Sequence, residues 1–110
     1  MSVFHVVCFD LRDDELNANR VAELRDIALS TIPGLVELRL GKNDPKMYFG
    51  KAERGQGYTH ALVSRHTTAK GLGVYMAHPD HIAMAKEIMK AQNRKPLALD
   101  FRDFRAKSKM

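Results

Sequence analysis

The sequence contains no tryptophan, a single cysteine and no run of apolar residues near the ~18 that a membrane-crossing helix needs. The lone Cys8 has no intrachain partner, which excludes a disulfide-stapled secreted scaffold. Its neighbours Val6, Val7 and Phe9 predict a buried, unreactive thiol. Asp10, Asp13 and Asp14 arrive too early for a signal peptide, so the expected location is the cytoplasm. Acidic excess is also missing: 18 Lys and Arg against 13 Asp and Glu give a formal charge of +5. That balance attracts anions without naming one. Apolar residues at 45% and charged residues at 28% are globular proportions, and 110 residues suffice for one domain.

Hydrophobic periodicity divides the chain into six elements. Residues 2–10 are β-branched and aromatic, short enough for a strand. Alternation sets Val3, His5, Val7 and Phe9 against Phe4, Val6 and Cys8. Asp13 or Asp14 is the predicted N-cap of a helix with a stripe through Leu16, Val21, Leu24, Ile27, Ala28 and Thr31, ended by Pro33-Gly34. A strand over about 35–40 alternates Val36, Leu38 and Leu40 with Glu37 and Arg39. Residues 41–56 read as a loop that is long for a compact domain.

The third strand, 58–66, places Tyr58, His60, Leu62, Ser64 and His66 on one face, with His66 expected to be exposed at its end. Residues 67–77 are only weakly helical, because Gly71 and Gly73 each cost about 1 kcal/mol relative to alanine. Pro79 and Asp80 open a stronger helix, with inner rows through His81, Ile82, Ala85, Ile88 and Met89. Asn93 through Pro96 end it. Leu97, Leu99 and Phe101 mark the last strand, followed by a basic tail at 103–110.

The order is β-α-β-β-α-β, which predicts an α+β ferredoxin-like fold: a four-stranded antiparallel sheet with two helices on one face. Two helices cover one face only, yet the strands are apolar on both. The economical solution is a twofold homodimer packed sheet against sheet, with the cavity closed by the second copy. Burying 400 Å² of apolar surface per subunit stabilises such a dimer by roughly 20 kcal/mol before association costs.

Phe4-His5-Val6-Val7, Gly57-Tyr58-Thr59-His60-Ala61-Leu62-Val63 and Tyr75-Met76-Ala77-His78-Pro79-Asp80-His81 together resemble the stress-responsive dimeric α/β-barrel (Dabb) domain family. The resemblance spans residues 2–102 as one domain. It implies a dimer whose two sheets form a barrel. The family includes a plant polyketide cyclase that closes a linear tetraketide thioester by an aldol step. By that resemblance its catalytic tyrosine and histidine fall on Tyr75 and His81, and its pocket histidines on His5 and His60.

The residue chemistry agrees with such a role. A neutral imidazole can take a proton next to a carbonyl, while a protonated tyrosine hydrogen-bonds the developing enolate oxygen. The same residues also have a purely structural reading, with His81 bonded to a nearby carbonyl and Tyr75 packed in the core. His5, His60 and His81 are the set an open zinc or iron site would use. They lack helical i, i+4 spacing and a placed carboxylate, so no metal is assigned.

Lys42, Lys46, Lys51 and Arg54 in the loop, with Tyr48 and Phe49, and Arg102, Arg105, Lys107 and Lys109 in the tail invite a nucleic-acid partner. The sheet offers aliphatics instead of base-stacking aromatics, so this charge reads as solvated surface. The resulting expectation is a cofactor-free homodimer binding a small apolar carbonyl compound, with no membrane partner. A non-catalytic assembly protein and a haem- or metal-dependent oxygenase are the alternatives.

Overall fold

A computed structural model describes residues 1–47 and 54–106. Tyr48, Phe49 and Lys51 of the basic loop, and Lys107 and Lys109 of the tail, lie outside the described residues. Chain order is β1 (Val3–Leu11), α1 (Ala18–Thr31), β2 (Leu35–Lys42), β3 (His60–His66), α2 (Ala69–Ala77), α3 (Pro79–Met89) and β4 (Gln92–Phe101). The strands form one antiparallel sheet in the order β2-β3-β1-β4, with the helices on one face. This is the expected ferredoxin-like topology. None of the described helices is long and apolar enough to cross a membrane.

Helix α1 starts later than the acidic pair suggested. Asn17 is its N-cap, the side chain accepting from the Arg20 N–H at 3.0 Å. Val21, Leu24 and Ala28 are buried, whereas Ile27 and Thr31 are exposed. Strand β2 corrects the alternation as well. Its pairing with β3 shifts between Leu35 and Glu37, so Leu35 and Leu38 enter the core and Val36 faces out. One extra residue in a strand reverses which face follows.

The weak segment at 67–77 does become a helix, α2, distinct from α3. The Thr68 hydroxyl caps it by accepting from the Gly71 N–H at 3.0 Å, and Tyr75 anchors it in the core. His78 ends α2 and caps α3, its Nδ1 accepting from the Asp80 N–H at 3.1 Å. On α3 the buried row runs through Met84 and Ile88, while Ile82 and Met89 are exposed. Strand β4 begins at Gln92 and carries Pro96 within it, because an edge strand tolerates a missing N–H and its pairing with β1 is irregular here.

Along β1, Val3, His5, Val7, Phe9 and Leu11 point under the helices. On the other face, Val6 stands between Val63 and Leu99, Cys8 between Ala61 and Leu97, and Phe4 stacks on Phe101 at 5.3 Å. No described helix covers these rows. Cys8, expected in the core, is therefore partly exposed on the open face.

Candidate active site

The covered face holds a polar cluster that five elements bring together. Register sets Ser64 of β3 and Asp100 of β4 on either side of His5 in β1. His66 lies two residues beyond Ser64, on the same face. Above them α2 drops Tyr75 into the core, and the first turn of α3 brings His81 beside it. The Tyr75 ring lies 4.3 Å from the His81 ring, 4.7 Å from His66 and 6.2 Å from His5, centroid to centroid.

A cavity of about 280 Å³ opens against this cluster, with His5, Tyr75 and His81 on its polar side and Phe9, Leu62 and Met84 among its apolar walls. It lies between the helices and the sheet of a single chain. The helices of one subunit already roof it, so its walls form without the second copy that the sequence reading expected to close the chamber. Pro96 and Ala98 bring β4 into its lining, with Ala98 exposed.

Hydrogen bonds fix the working form of two imidazoles. His81 Nδ1 lies 3.2 Å from the Met76 carbonyl, which can only accept, so Nδ1 carries the proton and Nε2 is the lone-pair nitrogen of the neutral ring. His5 Nδ1 lies 2.5 Å from an Asp100 carboxylate oxygen, which likewise holds the proton on Nδ1. Burial lowers the His81 pKa, against the bond to Met76, which raises it, and His5 adds a smaller push down. The neutral base form therefore prevails at neutral pH.

Among the described residues, the buried Tyr75 hydroxyl and His66 Nδ1 have no hydrogen-bond partner. Burial pushes the Tyr75 pKa up, against a smaller pull down from Ser64, so the phenol stays protonated. Ser64, whose hydroxyl is engaged with His66 Nε2 at 2.8 Å, keeps a lone pair facing the phenol and is its nearest polar neighbour, but no hydrogen bond of normal geometry joins the two. A buried donor in that state gains most from an incoming acceptor.

His66, expected at an exposed strand end, is fully buried because α2 folds back over it. Burial, reinforced by His5 and His81 and opposed by Asp100, pushes its pKa down from 6.5 to about 4. The unfolded chain takes up this proton near pH 6.5 and the native state only near 4. Its stabilising contribution, up to about 3 kcal/mol, is thus complete above pH 6.5 and is lost as pH falls toward 4. Urea unfolding at pH 7.5 and 4.5 should show a clearly smaller acid penalty for His66→Gln than for the parent protein. Equal penalties would rule out His66 as the source.

His60 does not join this cluster. It shares the covered face, but four residues of strand, about 13 Å, separate it from Ser64. Its Nδ1 lies 2.8 Å from the Thr59 hydroxyl and its Nε2 3.7 Å from Asp13, and burial lowers its pKa. It borders a separate depression of about 570 Å³ near Lys42, Arg54 and Tyr58. Among the described residues no group of three His, Cys, Asp or Glu side chains is placed to hold a metal ion.

The sequence reading did not foresee Asp100, Ser64 and His66 as members of this cluster. The alternation of β3 did place Ser64 and His66 on one face, but only the β1–β4 register reveals Asp100.

Fold and site together define a ferredoxin-like α+β domain with a histidine–tyrosine cavity on its helix side. The chain belongs to the family described as the Stress responsive A/B Barrel Domain, whose model matches residues 3–103. A comparison with curated protein sequences gives no match. Solved structures do match. A dimeric ferredoxin-like protein of unknown function from Thermobifida fusca shares 24% identity, with 92% of this chain and 90% of that one covered and a TM-score of 0.68. Hydroxynitrile lyase from Passiflora edulis shares 19% identity over 97% of both chains, with a TM-score of 0.74. SnoaB, a cofactor-independent oxygenase from Streptomyces nogalater, shares 14% identity over 96% of this chain and 95% of that one, with a TM-score of 0.66. At these identities the likeness establishes the fold.

Proposed function

We propose that the helix-side cavity binds a small, largely apolar carbonyl compound and that His81 and Tyr75 transfer a proton on it. The observation that carries this reading is a buried phenol with no partner beside an imidazole whose Nδ1 proton is committed to the Met76 carbonyl. The ligand carbonyl oxygen accepts from the Tyr75 hydroxyl. His81 Nε2 takes the proton from the adjacent carbon, and the C–H electron pair moves into an enolate whose oxygen Tyr75 stabilises. That carbon then regains a proton or attacks a second carbonyl, as in an aldol ring closure of the polyketide-cyclase kind. His5, oriented by Asp100, presents Nε2 to the ligand and acts as a positioning residue. His60 lies outside this cavity and takes no part in it.

The second element of the proposal is a homodimer through the open face. Its support is the apolar Phe4, Val6, Val63, Leu97, Leu99 and Phe101 surface, together with the dimeric state of the Thermobifida fusca protein. The cavity lies on the opposite face, so both sites of such a dimer stay open.

The test is exchange of the α-protons of propiophenone into D2O, followed by NMR. The protein should accelerate exchange well above buffer, and Tyr75→Phe should slow it about 100-fold while keeping the ring packing. Exchange no faster than in buffer would discard the proton-transfer reading.

A further inference from the structure

Methionine is concentrated at this cavity. Of six methionines, Met76, Met84 and Met89 line it, and two of the others are the chain's end residues, Met1 and Met110. The three differ sharply in access. Met84 on α3 is 1% exposed, whereas Met76 on α2 and Met89 at the end of α3 are 46% and 58% exposed. Both rim residues belong to the helix layer, away from the open sheet face, so sheet-to-sheet pairing leaves them reachable.

We propose that Met76 and Met89 are peroxide-modifiable rim sites that set the cavity's affinity for apolar ligands, an inference that rests on the binding role proposed above. A thioether is unbranched and polarisable and adapts to apolar ligands of varied outline. Its sulfur is also a nucleophile. It attacks the terminal oxygen of a hydroperoxide, the O–O bond breaks, and sulfoxide and water (or an alcohol) result. Sulfur is oxidised by two electrons and the peroxide is reduced by two. The sulfoxide is polar and chiral, and methionine sulfoxide reductases reverse it. At the rim it replaces apolar contact with a strong dipole on the ligand's path. The Met76 backbone carbonyl that holds His81 Nδ1 is untouched by this chemistry, so the effect falls on binding before catalysis.

The experiment uses the intact protein, hydrogen peroxide and the apolar fluorescent ketone prodan, whose emission shifts to the blue in apolar surroundings. Peptide mass mapping should show Met76 and Met89 each gaining one oxygen well before Met84. Prodan affinity should then fall about tenfold and recover on treatment with the reductases. Met47, 80% exposed and not among the cavity's lining residues, is the internal control: Met47→Leu should leave the peroxide response intact. In Met76→Leu/Met89→Leu, whatever its starting affinity, peroxide should change that affinity less than twofold.

Prodan binding that survives oxidation of both rim residues, or a response that persists in the double leucine variant, overturns the proposal. Oxidation of Met84 in step with the rim also overturns it. Failure of the untreated protein to bind prodan instead removes the binding role itself, and the rim proposal with it.

Discussion

His81→Asn is expected to slow α-proton exchange by 10²- to 10⁴-fold, the range that loss of a positioned general base produces. Asparagine is the informative replacement, because its amide N–H stands near the place of Nδ1 and can still donate to the Met76 carbonyl. The α2–α3 junction therefore keeps its tie while the basic Nε2 disappears. A pH profile adds an independent check. Burial holds the His81 pKa below its ordinary 6.5, so the parent rate should persist through pH 6.5 and fall only beneath it. An asparagine variant retaining full exchange, or a parent rate already falling from pH 7.5, would remove His81 from the base role.

Leu99→Asp is expected to convert the protein to a monomer at micromolar concentration. Leu99 pairs across the sheet with Val6 on the uncovered face and is largely exposed in the single chain, so its replacement costs the isolated fold little. In a sheet-to-sheet dimer the twofold relation buries two such carboxylates. At about 2 kcal/mol or more each, the loss reaches roughly 10³-fold in the dissociation constant. Sedimentation of parent and variant reads this directly. A monomeric parent, or an unaffected variant, would show that the open face serves another purpose. Because cavity and open face lie on opposite sides of the sheet, the monomer should still bind prodan.

The two effects draw on different parts of the sequence. The residues of β1 are apolar on both faces, and with the ferredoxin-like element order, which puts the helices on one side, that reveals an uncovered surface. Which set lies under the helices was not legible. It depends on which side the helices pack, and the structure gives Val3, His5, Val7 and Phe9 to them. The β2 bulge was equally hidden, since one added residue reverses strand parity without altering composition.

For the candidate site, the resemblance in the Tyr75-to-His81 stretch singled out two residues that the structure places side by side, and the helix cap at His78 and Pro79 explains how the turn delivers both side chains to one place. His60 shows where such reading stops. Period two places it on the same face as Ser64 and His66, but face is a local property and position along the sheet is not. Asp100 makes the same point in reverse: an ordinary acidic residue in an edge strand becomes the partner of His5 only through a pairing 95 residues away in the chain.

What the sequence determined by itself was the order of elements, the ferredoxin-like class and the presence of one apolar face too many. All of these follow from local periodicity, which each segment carries without its neighbours. Tertiary structure alone decided that the chamber lies beneath one subunit's own helices. It also decided that His66 and Asp100 join the cluster of His5, Tyr75 and His81 while His60 does not, because strand register and helix docking are set by contacts between distant segments.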